Sequence, residues 1–110
     1  MQRFELYSVN LDPTIGVEMK KVRPCLIISP DEMNRNVQTL IVAPLTTNFR
    51  NIPSRIKIEA NLNNGLSVTS YVALDQIKTI DKNRCKKKIG AISYNDAMKV
   101  SNLLVEIFQY

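Results

Sequence analysis

Three segments hold the side chains best suited to chemistry. The first runs Val9-Asn10-Leu11-Asp12-Pro13-Thr14-Ile15-Gly16 and continues past Glu18 to Lys20-Lys21-Val22-Arg23-Pro24. The second is Val42-Ala43-Pro44-Leu45-Thr46-Thr47, and the third is Asp75-Gln76-Ile77-Lys78-Thr79-Ile80-Asp81. What is missing narrows the chemistry further. The chain has no histidine, which removes imidazole triads, imidazole-based phosphoester cleavage and most transition-metal sites. Cys25 and Cys85 match no metal or redox spacing. Catalysis must therefore use Arg, Lys, Asp, Glu, Ser, Thr, Tyr or Cys, and no metal or other cofactor is expected. A guanidinium has the most specific use among these. It is planar, always charged, and can meet a phosphate through two N–H groups at once.

The charge balance agrees with an anionic partner. Fifteen Lys and Arg against ten Asp and Glu give a net +5, with a pI near 9.4. Nucleic acid, an acidic protein segment or an anionic membrane surface would each suit that field. The run Lys82-Asn83-Arg84-Cys85-Lys86-Lys87-Lys88 packs five cations into seven residues. Its plain reading is a solvated basic surface; its sharper one is a track for a nucleic acid or a lure for an acidic protein. Cys85 sits among these cations, which would lower its pKa, whereas Cys25 in the run Cys25-Leu26-Ile27-Ile28 reads as a buried strand thiol.

The elements that must position these residues are mostly short strands. With 110 residues the chain fits one domain over 1–110. Strands are expected over 4–11, 25–29 with Pro24 at the head, 38–44, 55–59, 68–74 and 86–89. Gln76 to Thr79 extends the fifth of these after a kink. Arg55-Ile56-Lys57-Ile58-Glu59 alternates, which predicts one buried and one wet face. A short helical stretch follows Ser29-Pro30-Asp31. Ser93-Tyr94-Asn95-Asp96 is a variant capping box opening a final helix, with Ala97, Val100, Leu104 and Ile107 as its apolar stripe. Many strands and one terminal helix give a mainly β fold with α, a small SH3-like barrel. No run of about 18 apolar residues occurs, so no membrane span is expected. No signal peptide is read at the N-terminus, and the expected location is the cytoplasm.

Taken in order, the motifs resemble those of the PemK/MazF toxin family. That family shows V-D/N-L-D-P-x-x-G, then R-P heading an apolar strand. It continues with V-A-P-I/L-T/S, D/E-Q-I/V-R/K-T-I/L-D, a basic stretch, I-G and a terminal helix. The match runs from about Tyr7 to the last helix. It implies a homodimeric, metal-independent endoribonuclease that cuts single-stranded mRNA at short sequences. The 2′-hydroxyl would attack the adjacent phosphate, leaving a 2′,3′-cyclic phosphate and a 5′-hydroxyl. It also implies an acidic antitoxin covering the RNA site. A non-catalytic toxin or nucleic-acid-binding module on the same barrel, such as a gyrase inhibitor, is the alternative.

By this resemblance Arg23 stabilises the doubly charged phosphorane and Thr46 donates to a non-bridging oxygen. Read without it, Arg23 would be a surface arginine flanking a strand, and Thr46 and Thr47 turn caps. Glu18 and Asp75 are the possible catalytic carboxylates, with Asp75 alternatively a structural ion partner. Asn10, Asp12, Thr14, Lys20, Lys21, Thr47, Gln76 and Lys78 are the expected RNA contacts. Two positions depart from the family. Phe4-Glu5 replace a frequent Gly-Asp, with consequences expected for the site wall or the dimer contact. Ala73 stands where one branch has an extra catalytic arginine.

Overall fold

The apolar runs lie at the centre of one antiparallel sheet. The computed structural model describes all 110 residues. Seven strands occur: β1 (Glu5–Asn10), β2 (Val22–Ile27), β3 (Thr39–Thr46), β4 (Arg55–Ile58), β5 (Ser70–Ala73), β6 (Lys78–Asp81) and β7 (Cys85–Ala91). Helix α1 (Asp31–Asn36) links β2 to β3, and α2 (Tyr94–Phe108) ends the chain. The strand order is β4-β5-β3-β2-β1-β7, with β6 also paired to β3.

Strand β3 is long enough to serve two partners in succession. Thr39 to Val42 pair with β6, and Leu45 and Thr46 pair with β5. The sheet thus has a core on each face. Leu6, Leu26, Ala43 and Val72 pack with Ala97 and Val100 of α2. Val9, Cys25, Ile27, Leu40 and Val42 pack with Ile80 on the other face. Alternate residues of a strand point to opposite faces, so Cys25-Leu26-Ile27 must be apolar throughout.

The expected barrel is present in open form. Strands β4 and β7 do not pair. Instead the loop following β4 packs on β7, where Asn63 O accepts from Ala91 N at 3.1 Å. Two glycines permit that approach. A Cβ on Gly65, whose φ is +70°, would lie 2.2 Å from Ile89 O, and one on Gly90 would lie 2.5 Å from Asn63 O.

Three local expectations change. Pro24 lies inside β2, not at its head, because β2 begins pairing with β1 at Val22. The kink after β5 is a 3-10 turn, Leu74–Gln76, which shifts the chain from one half of β3 to the other. On α2, Ser93 Oγ accepts from Asp96 N at 3.1 Å, as the capping pattern predicts. The stripe fails at its end: Ala97 and Val100 are buried but Ile107 is 41% exposed. Helical spacing sets which residues share a face, not whether anything lies beneath it. No helix is long and apolar enough to cross a membrane.

Candidate active site

Arg23 and Thr46 come from neighbouring strands and meet in one cavity. Continuing the β2–β3 register beyond Cys25↔Pro44 sets Pro24 opposite Leu45. Proline has no N–H to give, so the Leu45 carbonyl lacks its ladder donor there. Arg23 Nη1 fills that vacancy, donating to Leu45 O at 3.2 Å, while Nε donates to Lys20 O at 3.2 Å. Two carbonyls therefore hold the guanidinium and leave Nη2 unspent. No carboxylate neutralises it. The Arg-Pro pair thus has a geometric meaning: the proline frees the acceptor that anchors the arginine.

Thr46 ends β3 and is nearly buried. Its Oγ1 accepts from Asn48 N at 3.2 Å, which occupies a lone pair and leaves the hydroxyl proton to donate outward. The cavity measures about 470 Å³ and is lined by Arg23, Thr46, Asn48, Arg50, Arg55, Asp75 and Gln76, with Val17, Met19 and Ile52. Three guanidiniums face one carboxylate there, so the cavity attracts anions. A second cavity of about 370 Å³ adjoins it, lined by Glu18 and Lys78 and sharing Val17, Met19, Asp75 and Gln76.

The remaining expected residues divide into two groups. Asp75 and Gln76 reach the cavity but are engaged. Asp75 pairs side-on with Arg55, at 2.7 Å from Nε and 3.1 Å from Nη2, and accepts from Ser54 Oγ at 3.0 Å. The Arg55 hydrogen bonds hold its carboxyl below the usual range despite some burial. That pairing suits an ion partner better than a proton acceptor. Gln76 Oε1 accepts from Met19 N at 2.9 Å and Nε2 donates to Val17 O at 3.4 Å. Both ends of the amide hold the long loop instead of facing a base.

The loop residues mostly shape the loop. Asn10 Oδ1 accepts from Asp12 N at 3.1 Å, and Asp12 Oδ1 from Lys21 N at 3.1 Å. Glu18 is exposed and accepts from Ile15 N at 3.4 Å. It lines the neighbouring cavity, not the one holding Arg23. Lys78 Nζ donates to Leu11 O at 3.4 Å. Thr14, Lys20, Lys21 and Thr47 line neither cavity.

Phe4 also lines neither cavity. It packs against the first core with φ at +70°, a conformation that favours glycine. The glycine that the family resemblance leads one to expect at this place would meet that backbone without strain. Beneath the Phe4 ring lies Arg3, 4.9 Å from its centroid.

The basic run is less free than its composition suggests. Lys82 Nζ donates to Asn34 O at the end of α1, and Arg84 Nη1 donates to Asn10 O and Asp12 O. Lys88 pairs with Glu5 at 2.7 Å. Only Lys86 and Lys87 remain exposed and without a partner. The thiols are quiet. Burial pushes Cys25 up to about 12, and it also raises Cys85, contrary to the lowering expected from neighbouring cations. The Cys85 thiol packs against the second core, while Arg84 is turned to the Asn10 and Asp12 carbonyls and Lys86 and Lys87 are exposed.

Asn48, Arg50 and Arg55 are the polar cavity residues that sequence reasoning missed, along with the apolar Val17, Met19 and Ile52. Alternation placed Arg55 on the wet face, yet its side chain is only 7% exposed.

Comparison with known proteins then places the chain. A family model described as PemK-like, MazF-like toxin of type II toxin-antitoxin system matches residues 2–108. Endoribonuclease MazF of Staphylococcus saprophyticus is 36% identical over 106 residues, covering 94% of this chain and 88% of that protein. Among solved structures, MazF from Deinococcus radiodurans superposes with a TM-score of 0.86 at 21% identity, covering 100% of this chain and 97% of that one. A mycobacterial endoribonuclease in complex with its cognate antitoxin gives 0.77 at 25% identity, covering 96% and 92%.

Proposed function

The chain belongs to the PemK-like, MazF-like toxin family of type II toxin-antitoxin systems, and from that premise we propose that it is an endoribonuclease cutting single-stranded mRNA without a metal. One observation carries the reading. An anchored, uncompensated guanidinium and a hydroxyl with an unspent proton, Arg23 and Thr46, line one anion-attracting cavity.

In the proposed reaction the 2′-oxygen attacks phosphorus while its proton leaves to an acceptor. The P–O5′ bond breaks, and the 5′-oxygen takes up a proton. The products are a 2′,3′-cyclic phosphate and a 5′-hydroxyl. Between them the phosphorane carries two negative charges on its non-bridging oxygens. Arg23 Nη2 donates to one of them and Thr46 Oγ1 to the other. Both donors are pre-set by backbone contacts, so little reorganisation opposes them as charge develops. Arg23 acts as a fixed positive charge throughout, since a guanidinium gives hydrogen bonds and takes none. Glu18 lines the adjoining cavity and has no ionic partner, and the long loop would have to carry it toward Arg23 and Thr46 to accept the proton. Metal independence is proposed because Asp75, the cavity's one carboxylate, is committed to Arg55.

An acidic antitoxin segment fits the same cavity by charge, and the mycobacterial relative described with its cognate antitoxin supports that partner. A second copy of the chain is the other proposed partner, and the cytoplasm, where mRNA is found, is the proposed location. Sedimentation should give a mass near twice 12.5 kDa.

The decisive experiment incubates the protein with mRNA in EDTA and maps the ends. Cyclic-phosphate and 5′-hydroxyl termini are expected. Absence of cleavage at micromolar protein sinks the enzymatic reading in favour of a binding module. Cleavage only after a divalent ion is restored sinks metal independence.

A further inference from the structure

We infer that Arg55 binds a second RNA phosphate, one flanking the scissile one, and that Asp75 and Ser54 hold it in place for that purpose. The inference rests on the ribonuclease reading and deepens it.

Sinking a guanidinium to 7% exposure is costly unless its donors are matched. Arg55 is matched only on one edge. Nε and Nη2 meet the two Asp75 oxygens, so Nη1 and the outer N–H of Nη2 are not used by the pair. Arg55 Nη1 has no partner within the chain, yet Arg3 Nε is the only buried side-chain atom left unsatisfied. Nη1 therefore meets solvent, and the solvent it meets is the cavity that Arg55 lines with Arg23 and Thr46. The side-on pair turns the other edge of the fork into the cleft, in the geometry that suits a phosphate.

The support behind Arg55 is rigid. Arg55 stands opposite Ala73 on β5, and Ser54 O accepts from Leu74 N at 3.0 Å. Ser54 Oγ donates to the same Asp75 oxygen that takes Arg55 Nε. Arg55 thus stands on β4, and its carboxylate partner stands on the short 3-10 turn that directly continues β5. A salt bridge serving only to staple β4 to the turn after β5 would need no open edge in an anion-attracting cavity. Arg55 is assigned to binding and not to the reacting phosphate, because Arg23 and Thr46 already account for both of its non-bridging oxygens.

The test pairs protein variants with substrate variants. An oligonucleotide carrying the mapped cleavage site is made with each flanking phosphate replaced, one at a time, by an uncharged methylphosphonate. Single-turnover cleavage is measured in EDTA for wild type and Arg55→Ala. One flanking replacement should slow the wild type about 10- to 100-fold, the scale of removing one charge-assisted hydrogen bond, and should slow Arg55→Ala hardly at all. If every replacement slows both proteins by the same factor, Arg55 touches no phosphate and the inference is overturned. Should Arg55→Ala lose its cooperative melt, the cycle is run on Arg55→Lys, which keeps the charge but lacks the planar fork that meets Asp75 on one edge and a phosphate on the other. A wild type that cleaves nothing overturns the ribonuclease reading instead, so the two failures are distinct. Loss of melting temperature alone, without the phosphate-specific coupling, also counts against the inference.

Discussion

Pro24→Ala should slow RNA cleavage while leaving the fold almost equally stable. The ladder bonds Leu11 N to Lys21 O and Ile28 N to Ile41 O fix the parity of β2. Odd-numbered amides turn toward β1 and even-numbered ones toward β3. An amide at position 24 would therefore point at Leu45 O, the atom now held by Arg23 Nη1. An alanine there adds one ladder hydrogen bond, about 0.5–1.5 kcal/mol. It also loosens the unfolded chain, costing about 0.4–1 kcal/mol. The two nearly cancel, and the melting temperature should move by less than about 5 °C. Activity has no such compensation. Arg23 keeps Lys20 O but shares or loses its second anchor, about 1 kcal/mol and so roughly fivefold in rate. Arg23→Ala sets the upper bound, at about 10²–10³. Single-turnover cleavage and a thermal melt on the same preparation decide the matter. A folded Pro24→Ala protein with the wild-type rate refutes the anchoring argument, and so does a loss as large as that of Arg23→Ala.

Thr46→Val keeps the branched shape but removes the donor, and cleavage should fall about 10–100-fold, while Thr46→Ser should retain most of the rate; equal rates for the two would remove the hydroxyl from the mechanism. Asp75, hydrogen-bonded to Arg55, has a native pKa below its usual 3.8. Its contribution to stability is fully present above that value and is lost as pH falls below it through the lowered native pKa. Wild type should thus lose melting temperature more steeply than Asp75→Asn on acidification below about pH 4, and parallel curves would contradict the pairing. Replacing Lys86 and Lys87 by glutamine should reduce the salt dependence of RNA binding by about 0.7 for each phosphate that they neutralise. An unchanged slope would leave both as plain surface. Burial raises both thiols, Cys25 to about 12, so a disulfide reagent at about pH 8 should label the native protein far more slowly than the unfolded one. Rapid native labelling would show that Cys85 is open.

Much of this molecule was legible from residue order. Cys25-Leu26-Ile27 had to be a two-sided core strand because no polar residue interrupts it. Ser93 with Asp96 marked the start of α2, since capping is a contact between residues three apart. Arg23-Pro24 and Pro44-Leu45-Thr46 marked the cavity because their chemistry and order are written locally. Ile107 departs from its stripe for the opposite reason: periodicity describes a face and cannot say where the sheet beneath it stops.

The absence of histidine narrowed the chemistry to groups such as guanidinium and hydroxyl, and the order of the motifs, through the family they resemble, pointed to Arg23 and Thr46 among them. Tertiary structure alone decided what holds and surrounds them. Arg55 meets Asp75 across 20 positions, Gln76 spends its amide on a loop 57 residues earlier, and Arg84 reaches back 74 to Asn10. None of these pairings leaves a local pattern. Each depends on which strands the fold lays side by side, and that is settled by how the whole chain buries its apolar surface.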